Sequence, residues 1–72
     1  MPGNITTRVR ELRQAGAGMT QQQLAKAVGV SRQTIIAIES GRYSPSLEVA
    51  LKIARTFGHP VEAIFSLEDD AD

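Results

Sequence analysis

The chain has 72 residues, which is enough for one domain with a small hydrophobic core. It contains no cysteine, so neither disulfides nor thiolate metal sites can support the fold. No apolar run approaches the roughly 18 residues of a membrane span, and residues 1–10 lack the apolar segment of a secretory signal. We therefore expect a soluble, cytoplasmic protein without a membrane partner.

Charge is distributed unevenly along the chain. Eight Lys and Arg balance eight Asp and Glu, so the formal net charge is zero. Four of the acids lie in residues 68–72, which leaves residues 1–67 with eight positive and four negative charges. We expect a basic folded domain over residues 1–67 and an acidic, disordered tail over residues 68–72. The alternative for the tail is a mobile anion that competes for the basic face.

Apolar spacing and helix-ending residues predict five helices and no strand. The first extends from about Ile5 to Ala15, with Asn4 or Thr6 available as its cap. The second begins at Thr20, whose hydroxyl can form a capping box with Gln23.

The remaining three helices have similar start and stop signals. The third is capped by Ser31 and ends at Gly41, a residue suited to the left-handed conformation. Ser46 caps the fourth, Gly58 ends it, and residues 60–65 form the fifth, where a proline fits the first turn. The fourth helix is expected to be central because it is apolar around more than half of its circumference, at Leu47, Ala50, Leu51, Ile53, Ala54 and Phe57.

A tight turn is expected at Gly29, within "QQQLAKAVGVSRQTIIAIES". Glycine inside a helix costs roughly 0.5 to 1 kcal/mol relative to alanine, so it more naturally separates two helices. Ala25 lets the helices approach closely, and Val30 fills the space beneath the turn. The inward positions are Leu24, Ala25, Val28, Ile35 and Ile38. This spacing is typical of a helix-turn-helix, which places its second helix in the DNA major groove. An ordinary helical hairpin is the alternative.

From residue 5 to residue 67 the sequence resembles the Cro and phage-repressor type of helix-turn-helix regulators, also called the xenobiotic-response-element family. The resemblance rests on "RVRELR", "MTQQQLAKAVGVSRQTIIAIESGRYSPSLEVALKIARTFG" and "VEAIF". It implies an all-α, compact five-helix, lambda-repressor-like DNA-binding domain. Such a domain represses or activates transcription as a dimer on an operator with two half-sites.

The resemblance also implies that residues 31–40 form the recognition helix. Arg32 suits the edge of guanine and Gln33 suits the edge of adenine. Ala37, one turn beyond Gln33, is placed to touch a thymine methyl group. Ile36 is either a second methyl-reading contact or an exposed apolar group, and a phosphate contact is the alternative for Arg32.

Contacts with the DNA backbone are expected around the ends of these helices. Gln21 matches the family's phosphate-clamping glutamine, and a solvated glutamine is the alternative. After the recognition helix, Arg42 would supply charge and Tyr43 a hydroxyl group, with packing against the domain as the alternative for Tyr43. The other expected backbone contacts are Thr20, Ser31, Ser40 and Ser44.

An ion pair within the domain is also implied by the resemblance. Arg13 and Glu39 match a pair that joins the first helix to the third in the family, so we expect a partly buried ion pair that orients the helices rather than stabilising the fold.

A single recognition helix reads too few base pairs for a genomic site, so we expect a homodimer on an inverted repeat. Its interface is expected at Pro60, Val61, Ile64, Phe65 and Leu67, although core packing competes for Ile64 and Phe65.

An enzyme is not expected. His59 is the only histidine, and without cysteine it cannot complete a metal site or a nucleophilic triad. We therefore expect no metal and no cofactor. The rival function is binding to a protein partner, because antitoxins and anti-repressors use the same fold. The acidic tail is the one candidate segment for such a partner.

Overall fold

The computed structural model describes residues 5–16 and 18–67. Within these ranges the chain forms five helices, α1 (Val9–Ala15), α2 (Gln21–Val28), α3 (Arg32–Glu39), α4 (Leu47–Phe57) and α5 (Val61–Ile64). Two short strands, β1 (Ile5–Thr7) and β2 (Phe65–Leu67), pair in an antiparallel sheet. The predicted five-helix fold is confirmed, whereas the expectation of no strand is wrong because of this small sheet. The predicted acidic tail lies outside the described residues.

The core lies between the helices and is built from aliphatic side chains. Burying one such side chain contributes about 1.5 to 3 kcal/mol relative to leaving it exposed. Helix α2 packs against both α3 and α4, and α5 packs against α4. The largest fully buried side chains are Val9, Leu24, Val28, Ile35, Ile38, Ile53 and Ile64. None of the described helices is long and apolar enough to cross a bilayer.

Helix α4 buries a narrower face than the sequence predicts. Ala50, Ile53 and Ala54 are buried, whereas Leu47 is 73% exposed and Leu51 is 52% exposed. The expectation of a central helix, based on apolar residues around more than half of its circumference, therefore fails at these two leucines, because the neighbouring elements cover only the face that carries Ile53. These two leucines, four residues apart on one helix, form an exposed apolar strip.

Three helices begin at the caps that the sequence predicts. The Oγ1 of Thr20 accepts the backbone N–H of Gln23 at 3.0 Å, and the Oε1 of Gln23 accepts the N–H of Thr20 at 2.8 Å. The Oγ atoms of Ser31 and Ser46 each accept the N–H three residues later, at 3.1 and 3.2 Å. Caps of this kind contribute about 1 kcal/mol each.

The first helix begins four residues later than predicted, at Val9. The β-branched residues Ile5–Thr7 adopt an extended conformation, which suits their restricted side chains and is stabilised by pairing with β2. The predicted cap at Thr6 is wrong, because Thr6 pairs with Ser66 in the sheet. The other predicted cap, Asn4, lies outside the described residues.

The fifth helix is shorter than predicted at both ends. Pro60 occupies the N-cap position with φ −69° and ψ 157°, so it precedes the first turn and does not lie within it. Phe65 leaves the helix with φ −122° and ψ 141° and begins β2. Its pairing with Thr7 explains why the helical prediction fails for this residue, since a partner strand far away in the sequence is not visible in local spacing.

Gly41 has φ +80°, and a Cβ built there would lie 3.2 Å from the carbonyl oxygen of Ile5. Gly58 has φ +74°, but a Cβ there would meet no atom within 4 Å. We expect Gly58→Ala to cost about 1 to 2 kcal/mol of unfolding free energy, from the left-handed conformation alone. Gly41→Ala should cost more, because the β1 backbone must also shift. Urea unfolding of both variants measures the difference, and equal losses would contradict the close approach.

Candidate nucleic-acid interface

The turn between α2 and α3 is formed at Gly29, which has φ +79°. Its N–H donates to the carbonyl of Ala25 at 2.8 Å, and the N–H of Val30 donates to the same carbonyl at 3.0 Å. Ala25 is fully buried, so no larger side chain separates the two helices at this point. The turn between two closely packed helices that the sequence predicts is therefore present.

The predicted interior of this helix pair is buried in the structure. Val30 is half-buried beneath the turn, and Gly29 is exposed at its tip. The buried members are Leu24, Ala25, Val28, Ile35 and Ile38. Because α3 packs inward through its two isoleucines, its opposite face is left accessible.

That accessible face of α3 carries the residues predicted to read bases. Arg32 and Gln33 are exposed in the first turn, and Ile36 is 40% exposed. Ala37 is half-buried, so a contact there would involve only part of its methyl group. Arg32, Gln33 and Ile36 are not part of the hydrophobic core.

An open groove of about 1000 Å³ lies beside α3. Three parts of the chain form it: α1, the segment 18–22 at the start of α2, and the side of α3 that carries Arg32. The lining residues are Arg10, Arg13, Gln14, Gly18, Met19, Thr20, Gln21, Gln22, Arg32, Ile36, Glu39 and Ser40. The groove therefore brings together predicted base-reading and backbone-binding residues, while Gln33 and Ala37 do not line it.

A buried ion pair joins α1 to the end of α3, as the sequence predicts. The Nε of Arg13 lies 2.7 Å from the Oε2 of Glu39, and its Nη2 donates to the Oε1 at 3.1 Å. The two side chains are only 9% and 6% exposed. The Nη1 of Arg13 also donates to the carbonyl of Met19 at 3.0 Å, so the same side chain holds the segment that leads into α2.

Gln21 is part of the same network. Its Nε2 donates to the Oε1 of Glu39 at 3.1 Å, and the residue is half-buried. An amide nitrogen carries two N–H donors, so one donor remains for a phosphate oxygen. The bond to Glu39 restrains the side chain of Gln21, and its contact with a phosphate stays a prediction.

The loop after α3 is exposed and ordered by short-range hydrogen bonds. The Oγ of Ser40 donates to the carbonyl of Ala37 at 2.9 Å and accepts the N–H of Arg42 at 3.3 Å. Arg42 and Ser44 are exposed, and Tyr43 is 50% exposed. The side chains of Arg42 and Tyr43 are therefore accessible to a ligand that reaches this end of α3.

The predicted dimer residues differ in accessibility. Ile64 is 1% exposed within one chain, so its side chain belongs to the core, which is the alternative that the sequence left open for it. Val61 and Phe65 are half-buried against the core. Pro60 is exposed, and Leu67 is 63% exposed at the end of β2. These last two residues form the accessible part of the predicted interface.

Sequence reasoning missed part of the groove wall. Arg10 and Gln14, four residues apart on α1, line the groove together with Gln22. The spacing of Arg10 and Arg13 was the sequence feature that could have predicted Arg10 in the groove wall, because residues three apart on a helix share a face. Once Arg13 is paired with α3, Arg10 has to lie on the same side of α1.

Removing one partner of the buried pair should be costly. We expect Arg13→Met to lower the unfolding free energy by about 3 to 5 kcal/mol, because Glu39 would remain buried without its counter-charge. The double variant Arg13→Met/Glu39→Leu should recover most of that loss. Lys52→Met is the control, since its pair with Glu48 is exposed and should contribute no more than about 1 kcal/mol. Urea unfolding tests this, and equal losses in the two single variants would contradict it.

Comparisons with known proteins agree with this geometry. Residues 9–64 match the protein family described as Helix-turn-helix. An uncharacterized HTH-type transcriptional regulator of Archaeoglobus fulgidus is 53% identical over 66 residues, covering 92% of this chain and 93% of the relative. The cryptic phage CTXphi transcriptional repressor RstR of Vibrio cholerae is 33% identical over 62 residues, covering 86% of this chain and 55% of the repressor.

A solved structure shares both fold and sequence with this chain. The crystal structure of the restriction-modification controller protein C.AhdI from Aeromonas hydrophila matches with a TM-score of 0.69 and 34% identity. The match covers 76% of this chain and 82% of that protein. The exposed face of α3, the turn at Gly29 and these relatives lead to one conclusion: the chain belongs to the Cro and phage-repressor type of helix-turn-helix transcriptional regulators.

Proposed function

We propose that the chain is a sequence-specific repressor that acts in the cytoplasm and binds an inverted-repeat operator as a homodimer. The observation that carries this proposal is the accessible face of α3, where Arg32 and Gln33 are exposed in the first turn and Arg32 lines a groove with two further arginines. Repression is favoured over activation because one relative, RstR, is named a transcriptional repressor.

Base reading is assigned to the N-terminal half of α3. An arginine can donate two hydrogen bonds to the O6 and N7 of guanine, and a glutamine can pair with the N6 and N7 of adenine. Arg32 and Gln33 are exposed at the end of the helix that enters the major groove first. Ile36 and Ala37, one turn later, are placed to contact thymine methyl groups.

Backbone binding is assigned to both sides of the recognition helix. Gln21 offers its second amide N–H at the start of α2, and Arg42 and Tyr43 offer a charge and a hydroxyl after α3. The Oγ1 of Thr20 already accepts a helix N–H group, so it would donate its own hydroxyl proton to a phosphate. The Oγ of Ser31 accepts a helix N–H group and shares a hydrogen bond with the Oγ1 of Thr34 at 3.0 Å, so Ser31 donates to a phosphate when the Thr34 hydroxyl is the donor in that bond. Ser40 and Ser44 complete the set. Such contacts fix the register of α3 on the duplex without reading sequence.

The homodimer is assigned to the surface formed by Pro60 and Leu67, with Val61 and Phe65 at its edge. Leu67 leaves 63% of its surface uncovered, and burying exposed apolar surface against a second copy would be favourable. The strip formed by Leu47 and Leu51 is a rival surface on α4. A monomeric mass, in solution and when bound to operator DNA, would contradict the homodimer.

Two arginines should affect DNA binding in different ways. We expect Arg32→Ala to cost about 1 to 3 kcal/mol on the preferred site and to relax the preference at one base pair. Arg42→Ala should weaken binding to all sequences alike, and it should make the slope of log affinity against log salt less negative by about one. Fluorescence anisotropy with operator and random duplexes measures both effects. The base-reading role of Arg32 is wrong if its loss weakens the two duplexes equally.

A further inference from the structure

We propose that Arg10 on α1 binds a phosphate of the DNA backbone, so that α1 forms a third part of the DNA-binding surface beside α2 and α3. This inference rests on the proposed DNA-binding function and adds a contact from an element that was not assigned to DNA. It is based on two observations: Arg10 lines the groove beside α3, and its charge has no salt-bridge partner within the described residues.

The position of Arg10 follows from its neighbour on the helix. Arg13 lies on the side of α1 that faces α3, because it pairs with Glu39 at 2.7 Å. Residues three apart share a helix face, and three residues correspond to about 4.5 Å along the axis. Arg10 is exposed on that same side and lines the same groove as Arg32.

The charge of Arg10 has no protein counter-ion among the residues that the structure describes. Arg8 pairs with Glu11, Arg13 with Glu39 and Lys52 with Glu48, whereas neither Arg10 nor Arg32 takes part in a salt bridge within residues 5–16 and 18–67. The groove is lined by three arginines and one glutamate, which gives it a net charge of two positive. A concave surface with this surplus attracts a polyanion.

A DNA phosphate fits this position better than a base or an acidic protein. In helix-turn-helix proteins the second helix of the motif enters the major groove, while the first, here α2, crosses the sugar-phosphate backbone. Arg10 lines the same groove as the start of α2. The planar guanidinium group matches a phosphate through two parallel N–H bonds. Gln14, one turn beyond Arg10, also lines the groove and carries two amide N–H donors.

The test compares two variants that each remove one positive charge, Arg10→Gln and Arg55→Gln. Arg55 is exposed on α4, lies outside the groove and, like Arg10, takes part in no salt bridge within the described ranges. Log affinity decreases linearly with log salt, and the loss of one phosphate contact makes this slope less negative by about 0.9. Between about 50 and 200 mM salt, the affinity of each protein for DNA decreases by some factor. We therefore expect this factor to be about threefold smaller for Arg10→Gln than for the unmodified chain, on operator and random duplexes alike.

The Arg55→Gln variant should keep the slope of the unmodified chain. An unchanged slope for Arg10→Gln, while Arg32→Ala still weakens operator binding, would overturn the role of Arg10 and leave the proposed function intact. An equal reduction in both charge variants would also overturn it, since the effect would then be one of total charge. If neither Arg10→Gln nor Arg32→Ala alters DNA binding, the proposed function itself fails.

Discussion

The contact on which the rest of the binding surface depends is the ion pair between Arg13 and Glu39. Both side chains are more than nine-tenths buried, and together they join α1, the segment before α2 and the end of α3. Buried ion pairs add little net stability because desolvation offsets their attraction. This pair instead fixes positions: it holds α1 against α3, which line two sides of the groove, and it restrains Gln21 through the shared carboxylate.

The small sheet extends this positional control to the loop after α3. Strand β1 pairs with β2, and the carbonyl of Ile5 lies close to Gly41. The end of β2 carries Leu67, which belongs to the proposed dimer surface. The loop that contains Arg42 is therefore connected through one strand to the region where a second copy would bind. Both recognition helices of a dimer would need such a fixed relation to fit two half-sites.

Local chemistry was enough to predict most of the fold. Thr20, Ser31 and Ser46 cap their helices and Gly29 forms the turn, because these effects depend on residues within a few positions of each other. The strand at Ile5–Thr7 could not be predicted, since its partner lies about sixty residues away. The exposure of Leu47 and Leu51 was missed because spacing shows which side of a helix is apolar but not how much of it neighbours cover. The position of Arg10 in the groove follows from the pairing of Arg13 with Glu39, which a resemblance implied but local spacing alone did not show.

We infer that α3 reads DNA sequence as part of a dimer. Selection from a pool of random duplex DNA by the purified protein, at near-physiological salt, tests this inference. We expect enrichment of an inverted repeat whose half-sites are about one helical turn apart. If the folded protein enriches no sequence, the claim is contradicted and a protein partner becomes the better explanation of the exposed basic groove.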